Sequence, residues 1–230
     1  MIKTIIFDLD GTLYKEKEFA ESGFRAVSEY IFKKHKIGKS KVFNILKKDF
    51  EAGLRNKNFN VLLKKIDLAR KENVLNLAEI YRNHYPSKIS LYPDARKILK
   101  KTRNDFKLAL LTNGRIISQK NKISALGIKN YFKAILISTD FGDNDWKKSA
   151  SSFNILLKKT KSRPKEMIYV GDNPKRDFMG AKKIGILTVR IKRKGDDCYN
   201  VPENKKNKAD FIAANLLGLD KIIKKYQNEK

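Results

Sequence analysis

The sequence contains very little cysteine and histidine. Cys198 is the only cysteine among 230 residues, and the two histidines are His35 and His84. A single cysteine cannot form an internal disulfide, and this one has no cysteine or histidine neighbours at the spacing of a zinc site. We therefore expect an incidental thiol, helix-surface histidines, and no structural metal of the zinc type.

Long apolar runs and a signal-peptide pattern are also absent. No stretch approaches the roughly 20 apolar residues that a membrane-spanning helix requires, and residues 1–4 lead directly into the apolar run Ile5-Ile6-Phe7. Hydrophobic residues nevertheless make up 41% of the chain, which is enough to bury a core in a domain of this length. We expect a cytoplasmic protein that has no contact with a membrane.

Acidic residues are scarce, since 25 Asp and Glu residues face 52 Lys and Arg residues and leave a formal charge of +27. Such a surplus can bind nucleic acid by releasing counterions from the phosphate backbone. Lysine pairs occur along the whole chain, which favours solvated helix faces, and only residues 192–208 form a locally basic segment. No aromatic residues alternate with basic ones as in a nucleic-acid-reading motif. Binding to nucleic acid is therefore the alternative hypothesis from a different class.

Two kinds of hydrophobic periodicity divide the chain. Residues 15–88 show the spacing of amphipathic helices, whereas strand and helix patterns alternate after Tyr92-Pro93-Asp94. Such alternation predicts an α/β fold with a doubly wound parallel sheet. We expect one α/β domain formed by residues 1–14 and 89–230, with residues 15–88 inserted as a helical domain. Asp94 is predicted to be the N-cap of a helix.

Polar residues follow the predicted strands at the points where these strands end. Asp8 and Asp10 end the first strand, Thr112 and Asn113 end a second, and Asp172 follows another. The carboxyl ends of parallel strands meet at one edge of the sheet, where ligands bind. Carboxylates there suit a hard cation such as Mg²⁺. They also suit a division of work between a nucleophile and a group that transfers a proton.

The same residues resemble the sequence motifs of the haloacid dehalogenase-like hydrolases, which have a Rossmann-like core. Asp8-Leu9-Asp10-Gly11-Thr12 is similar to the first motif of that family, Thr112 to the second, and Gly171-Asp172 with Asp177 to the fourth. The third motif departs, because its lysine is usually followed by proline and no proline follows here. Lys147 and Lys148 both fit, and the sequence leaves the choice between them open.

The resemblance implies a Mg²⁺-dependent phosphomonoester hydrolase that acts on a small phosphorylated metabolite. It implies that Asp8 forms an aspartyl phosphate, that Asp10 transfers the proton, and that Lys147 or Lys148 neutralises the charge. Thr112 and the backbone amide of Asn113 would bind the phosphoryl oxygens. The implied magnesium ligands are the side chain of Asp8, the backbone carbonyl of Asp10, and Asp172. Asp177 is interpreted as an outer-sphere group or as a helix N-terminal acid.

The sequence leaves alternative functions open. A phosphomutase of the same fold is an alternative, as is a phosphatase or binding protein that acts on nucleic acid. The segment 15–88 would form a cap over the site, with hinges near residues 13–17 and 88–93. The sequence does not identify the phosphate ester, and the chain is expected to be a monomer or a homodimer.

Overall fold

The computed structural model describes residues 1–55, 57–137 and 149–228. Its centre is a sheet of six strands in the order β3-β2-β1-β4-β5-β6, and every neighbouring pair is parallel. The chain starts in the middle of the sheet and winds outwards to both edges, so the predicted doubly wound α/β fold is confirmed. The strands are β1 (Thr4–Phe7), β2 (Lys107–Thr112), β3 (Ala134–Ile137), β4 (Met167–Gly171), β5 (Leu187–Ile191) and β6 (Phe211–Ala213).

The central strands are apolar on both faces because helices cover both sides of the sheet. Successive side chains of a strand point to opposite faces, so Ile5 and Phe7 pack on one side while Ile6 packs on the other. The first side is covered by α5 (Pro93–Thr102), α6 (Ile116–Ala125) and α9 (Leu219–Asn228), and the second by α7 (Ser151–Thr160) and α8 (Phe178–Lys183). This arrangement explains the continuous apolar runs in the sequence.

Between β1 and α5 the described residues form four helices with a hydrophobic core of their own. Buried residues of this cluster include Phe24, Val27, Leu46, Leu62 and Leu77. The helical character predicted for this part of the chain is therefore present, whereas its division from the rest at residues 15 and 88 stays a prediction. The helices are α1 (Glu16–His35), α2 (Lys39–Glu51), α3 (Asn58–Lys65) and α4 (Val74–Asn83).

The start of α5 differs from the prediction that Asp94 is its N-cap. Tyr92 occupies the N-cap position and Pro93 begins the helix, as suits a residue without a backbone N–H. The carboxylate of Asp94 instead accepts hydrogen bonds from Arg193 at 2.7 Å and from the backbone N–H of Leu216 at 2.8 Å. Tertiary contacts therefore determine the role of this acid, and the local sequence could not indicate them.

An ion pair joins the beginning of β1 to the segment before β4. Lys3 Nζ lies 2.7 Å from Glu166 Oε1, and the backbone N–H of Arg163 donates to Glu166 Oε2 at 2.8 Å. The hydrogen bond from Lys3, followed by those from Arg163, lowers the pKa of Glu166 to about 2. Folding therefore favours the ionised form of this carboxyl.

Within the described ranges, no helix combines the length and the apolar character that are required to cross a bilayer.

Candidate active site

Three carboxylates converge where β1 and β4 end. One oxygen each from Asp8, Asp172 and Asp177 lies within 4.8 Å of the others, and the three residues are only 4%, 8% and 1% exposed. A hydrogen bond of 2.8 Å from the backbone N–H of Asp8 to the carbonyl of Val170 fixes the first strand beside the fourth. Buried carboxylates at this separation suit a hard divalent cation, which takes oxygen ligands and offsets their mutual repulsion.

Two of the predicted magnesium ligands, Asp8 and Asp172, belong to this group of three acids. Asp177 joins them, although the sequence suggested an outer-sphere or helix-terminal role. Asp177 does stand at the N-cap of α8. Its side chain accepts from the backbone N–H of Asn173 at 2.8 Å and from the Tyr169 hydroxyl at 3.2 Å, so it also shapes the loop after β4.

Two glycines give these acids the space that they occupy. A Cβ on Gly11 would lie 2.3 Å from Asp172 Oδ2, and a Cβ on Gly171 would lie 2.5 Å from Asp177 Oδ2. Gly11 also has a φ of +75°, which other residues rarely adopt. The glycine of the first motif is therefore required by both backbone conformation and the position of Asp172.

The carboxylate of Asp10 has a separate environment. Its Oδ1 accepts hydrogen bonds from Lys122 at 2.7 Å and from the Tyr14 hydroxyl at 2.5 Å, and its Oδ2 accepts from Gln119 at 3.1 Å. Burial raises the pKa of Asp10, but the charge of Lys122 and the three hydrogen bonds outweigh burial and hold the pKa below its usual value. The two acids of the first motif are consequently separated: Asp8 joins the acid group, and Asp10 is paired with a cation.

Sequence reasoning missed Lys122 and Gln119. They lie three residues apart on α6, a spacing that places both on one helix face. That spacing was visible in the sequence, but a single lysine is a weak signal in a chain with so many. Lys122 is buried, and its ammonium also lies 4.1 Å from the ring centroid of Phe19.

The end of β2 contributes a buried hydroxyl. Thr112 is fully buried, and within the described part of the chain its Oγ1 has no hydrogen-bond partner. Leaving a buried hydroxyl unpaired is costly, which suits a group that binds a ligand oxygen. Asn113 follows at the cavity wall, where its backbone carbonyl accepts from Gln119 at 2.6 Å. Lys147 and Lys148, the two candidates for the third motif, lie outside the described residues.

Two adjacent cavities lie between the helical segment and the ends of the strands. The first, of about 270 Å³, is lined by Asp8, Asp10 and Asp172. The second, of about 710 Å³, shares four lining residues with the first. The shared residues come from α1, from α4 and from the loop after β4, namely Glu16, Arg82, Asn173 and Arg176.

Hydrogen bonds connect α6 to the last turn of α4 above these cavities. Ser118 donates to the backbone carbonyl of Arg82 at 2.5 Å, and Asn121 donates to the carbonyls of Asn83 and His84 at 3.2 and 3.1 Å. Because Gln119 and Lys122 are on the same helix, α6 holds both Asp10 and the end of α4.

The basic segment 192–208 contributes to the site as a structural loop. Arg193 binds Asp94 and stacks on the Tyr92 ring at 4.0 Å from its centroid. Cys198, which the sequence suggested to be incidental, lines the first cavity and hydrogen-bonds Asp172. Burial and the charge of Asp172 raise the pKa of this thiol.

Comparison with known proteins agrees with this geometry, which combines a parallel sheet, acids at its strand ends and helices above them. Residues 5–191 match the family model of the haloacid dehalogenase-like hydrolases. A glyceraldehyde 3-phosphate phosphatase of Methanocaldococcus jannaschii is 34% identical over 196 residues, which cover 83% of this chain and 85% of that protein. The chain therefore belongs to the haloacid dehalogenase-like hydrolases.

Further relatives have the same extent. A ribulose-1,5-bisphosphate 5-phosphatase of Halopiger xanaduensis is 26% identical over 206 residues, covering 82% of this chain and 84% of that one. The crystal structure of a phosphatase of this family from Thermococcus onnurineus superposes with a TM-score of 0.63 at 25% identity, covering 96% of this chain and 98% of that one. The likeness thus includes the helical segment as well as the sheet.

Proposed function

We propose that the protein is a magnesium-dependent phosphomonoester hydrolase that acts on a small phosphorylated metabolite. The observation that carries this proposal is the group formed by Asp8, Asp172 and Asp177, whose oxygens lie within 4.8 Å of one another at the wall of a cavity. The relatives named as phosphatases of glyceraldehyde 3-phosphate and of ribulose 1,5-bisphosphate support a small sugar phosphate or a related ester.

The residues present fit a magnesium ion. Asp8, Asp172 and Asp177 would hold it, together with the backbone carbonyl of Asp10. The buried hydroxyl of Thr112, which lacks a partner in the described part of the chain, is the separate donor that a phosphoryl oxygen needs. When bound, the ion would offset the negative charge of the phosphoryl group and of the carboxylates.

In the proposed reaction, a carboxylate oxygen of Asp8 attacks phosphorus and the bond from phosphorus to the ester oxygen breaks. Asp10 gives its proton to that leaving oxygen. A water molecule then attacks the aspartyl phosphate, passes a proton back to Asp10, and releases phosphate while Asp8 is regenerated. Before substrate arrives, Lys122 holds Asp10 ionised; an entering phosphoryl anion raises the pKa of Asp10 and so favours the protonated form.

Other residues bind and enclose the substrate in this proposal. Thr112 donates its hydroxyl to a phosphoryl oxygen, as does the backbone N–H of Asn113, and Lys147 or Lys148 neutralises part of the charge. Residues 15–88 form the cap, which excludes water during phosphoryl transfer.

Turnover of p-nitrophenyl phosphate tests the proposal. The wild type should hydrolyse it with Mg²⁺ and stop in EDTA, and Asp8→Asn should lower kcat by at least about 1000-fold because the nucleophile is lost. Asp105→Asn is the matched control, since Asp105 is exposed and precedes the start of β2, at the other end of the strand from Thr112. Equal rates for the wild type and for Asp8→Asn would exclude this function.

A further inference from the structure

The cationic residues that line the two cavities are mostly arginines, although lysine is far more common in the chain. Of the 52 basic residues, 11 are arginines and 41 are lysines, so composition alone would make about four cations in five lysine. Among the described residues that line the cavities, the proportion is reversed. They comprise a single lysine and four arginines, namely Lys122, Arg55, Arg82, Arg115 and Arg176. The planar guanidinium binds carboxylate or phosphate oxygens with two parallel hydrogen bonds, which an ammonium does not do.

Two of these arginines lie where the cavities meet. Arg82 and Arg176 line both cavities, whereas Arg115 lines only the one that contains Asp8. Arg55 lines the larger cavity and already has a partner, because it lies 3.0 Å from Asp197 Oδ2. In the part of the chain that the structure describes, neither Arg82 nor Arg176 forms an ion pair with an acidic side chain.

The backbone supports for these two residues come from opposite sides of the crevice. Arg82 is in the last turn of α4, and its carbonyl is held by the hydroxyl of Ser118 at 2.5 Å. Arg176 is in the turn that leads to Asp177, where its backbone N–H donates to the carbonyl of Asn173 at 3.0 Å. One guanidinium is therefore supplied by the helical segment and the other by the loop after β4.

The larger cavity has both polar and apolar walls, and among the described residues its three arginines outnumber its two acids. Its other polar lining includes the amides of Asn58, Asn60 and Asn173 and the carboxylates of Glu16 and Asp197, the second of which is paired with Arg55. A phosphoryl group bound beside Asp8 in the smaller cavity would leave the remainder of the substrate at this junction. Arg82 is half-buried and Arg176 is exposed, and among the described residues Glu16 is the one acid beside them that lines both cavities. A substrate seated there would remove water from both guanidiniums, which costs free energy unless the substrate supplies negative charge.

We propose that the substrate carries a second oxyanion, a carboxylate or a second phosphate, remote from the scissile phosphoryl group, and that Arg82 and Arg176 bind it. This inference rests on the proposed phosphatase function. It predicts that a phosphate ester of the same size without a second negatively charged group is the poorer substrate.

Two matched substrate pairs test the proposal with Mg²⁺. The first is 3-phosphoglycerate against glyceraldehyde 3-phosphate, and the second is ribulose 1,5-bisphosphate against ribulose 5-phosphate. At least one anion-bearing member should have a kcat/KM about tenfold or more above that of its partner, and which one does so distinguishes carboxylate from phosphate. Arg82→Met and Arg176→Met should each lower that kcat/KM about 10- to 100-fold, mainly through KM, as expected for one lost charge-assisted hydrogen bond or two.

The controls separate the possible failures. Arg70→Met in the helical segment and Arg96→Met on α5 remove exposed arginines outside both cavities and should change nothing. For Arg82→Met and Arg176→Met, the loss of kcat/KM should be larger on the anion-bearing member of the pair than on its partner. The inference is overturned if the wild type shows no preference within either pair, or if the arginine variants lose activity equally on both members. Absence of p-nitrophenyl phosphate turnover in the wild type would instead remove the proposed function, and this inference with it.

Discussion

Replacing Lys122 by methionine should destabilise the protein by about 2–3 kcal/mol. The side chain of Lys122 is 7% exposed, and its ammonium is 2.7 Å from Asp10 Oδ1. Methionine has a similar length and can pack against Phe19, but it loses the attraction of the ammonium to that ring. The variant leaves Asp10 ionised with only its hydrogen bonds from Tyr14 and Gln119. Breaking a fully buried ion pair costs about 3–5 kcal/mol, and losing one charge-assisted hydrogen bond costs about 1.5–3 kcal/mol. Because the Asp10 side chain is 18% exposed, we expect a free-energy cost in the lower part of these ranges.

The measurement is thermal and urea unfolding in EDTA at pH 7, so that metal binding does not contribute. For a chain of this size, about 1 kcal/mol corresponds to about 2–4 °C, and the expected fall in Tm is therefore about 4–12 °C. Lys120→Met is the matched control, because Lys120 is on the same helix but exposed. If the two variants unfold within about 0.5 kcal/mol of each other, the pairing of Lys122 with Asp10 does not contribute this stability.

Three further predictions use single substitutions. Gly11→Ala should abolish the activation by Mg²⁺, because the added Cβ would clash with Asp172. Gly127 has a φ of +66° and open space around it, so Gly127→Ala should show only the backbone strain of about 1–2 kcal/mol. Similar activity in both variants would contradict this. Thr112→Val should reduce kcat/KM at least about tenfold, yet it should raise the free energy of unfolding by about 1 kcal/mol. The reason is that it removes a buried hydroxyl without a partner in the described chain. A loss of stability would show that the hydroxyl is hydrogen-bonded. The lowered pKa of Glu166 contributes stability above pH 4.5 that is lost as pH falls towards about 2, so Glu166→Gln should flatten the pH dependence of urea unfolding in that range, and an unchanged slope would refute it.

The fold was predictable because its periodicities are strong. Parallel strands covered on both faces appear as short apolar runs, and these runs locate β1, β2 and β4 closely. Helix ends were less accurate. The residue pattern predicts the last two helices from residues 175 and 216. The structure has a turn before α8, which begins at Phe178, and a 3-10 helix, Leu216–Gly218, directly before α9.

The candidate site was only partly predictable, for a reason of chemistry. Strand-end carboxylates such as Asp8 and Asp172 stand out because acids are scarce and their positions follow from the sheet. The cation that pairs with Asp10 does not stand out, since Lys122 is one of 41 lysines. Its role follows from the packing of α6 against the loop after β1, which no local pattern encodes.

The charge surplus also has a structural explanation in the helices. Many of the lysine pairs that recur in the sequence lie in the last turn of a helix, where the backbone carbonyls form the negative end of the helix dipole. Each cation there contributes about 0.3–1 kcal/mol, so their distribution follows the helix ends rather than a single binding face. Basic residues that bind one ligand should instead lie close together, as the arginines that line the two cavities do. The pairs at helix ends are Lys33 and Lys34 in α1, Lys64 and Lys65 in α3, Lys100 and Lys101 in α5, Lys158 and Lys159 in α7, and Lys182 and Lys183 in α8.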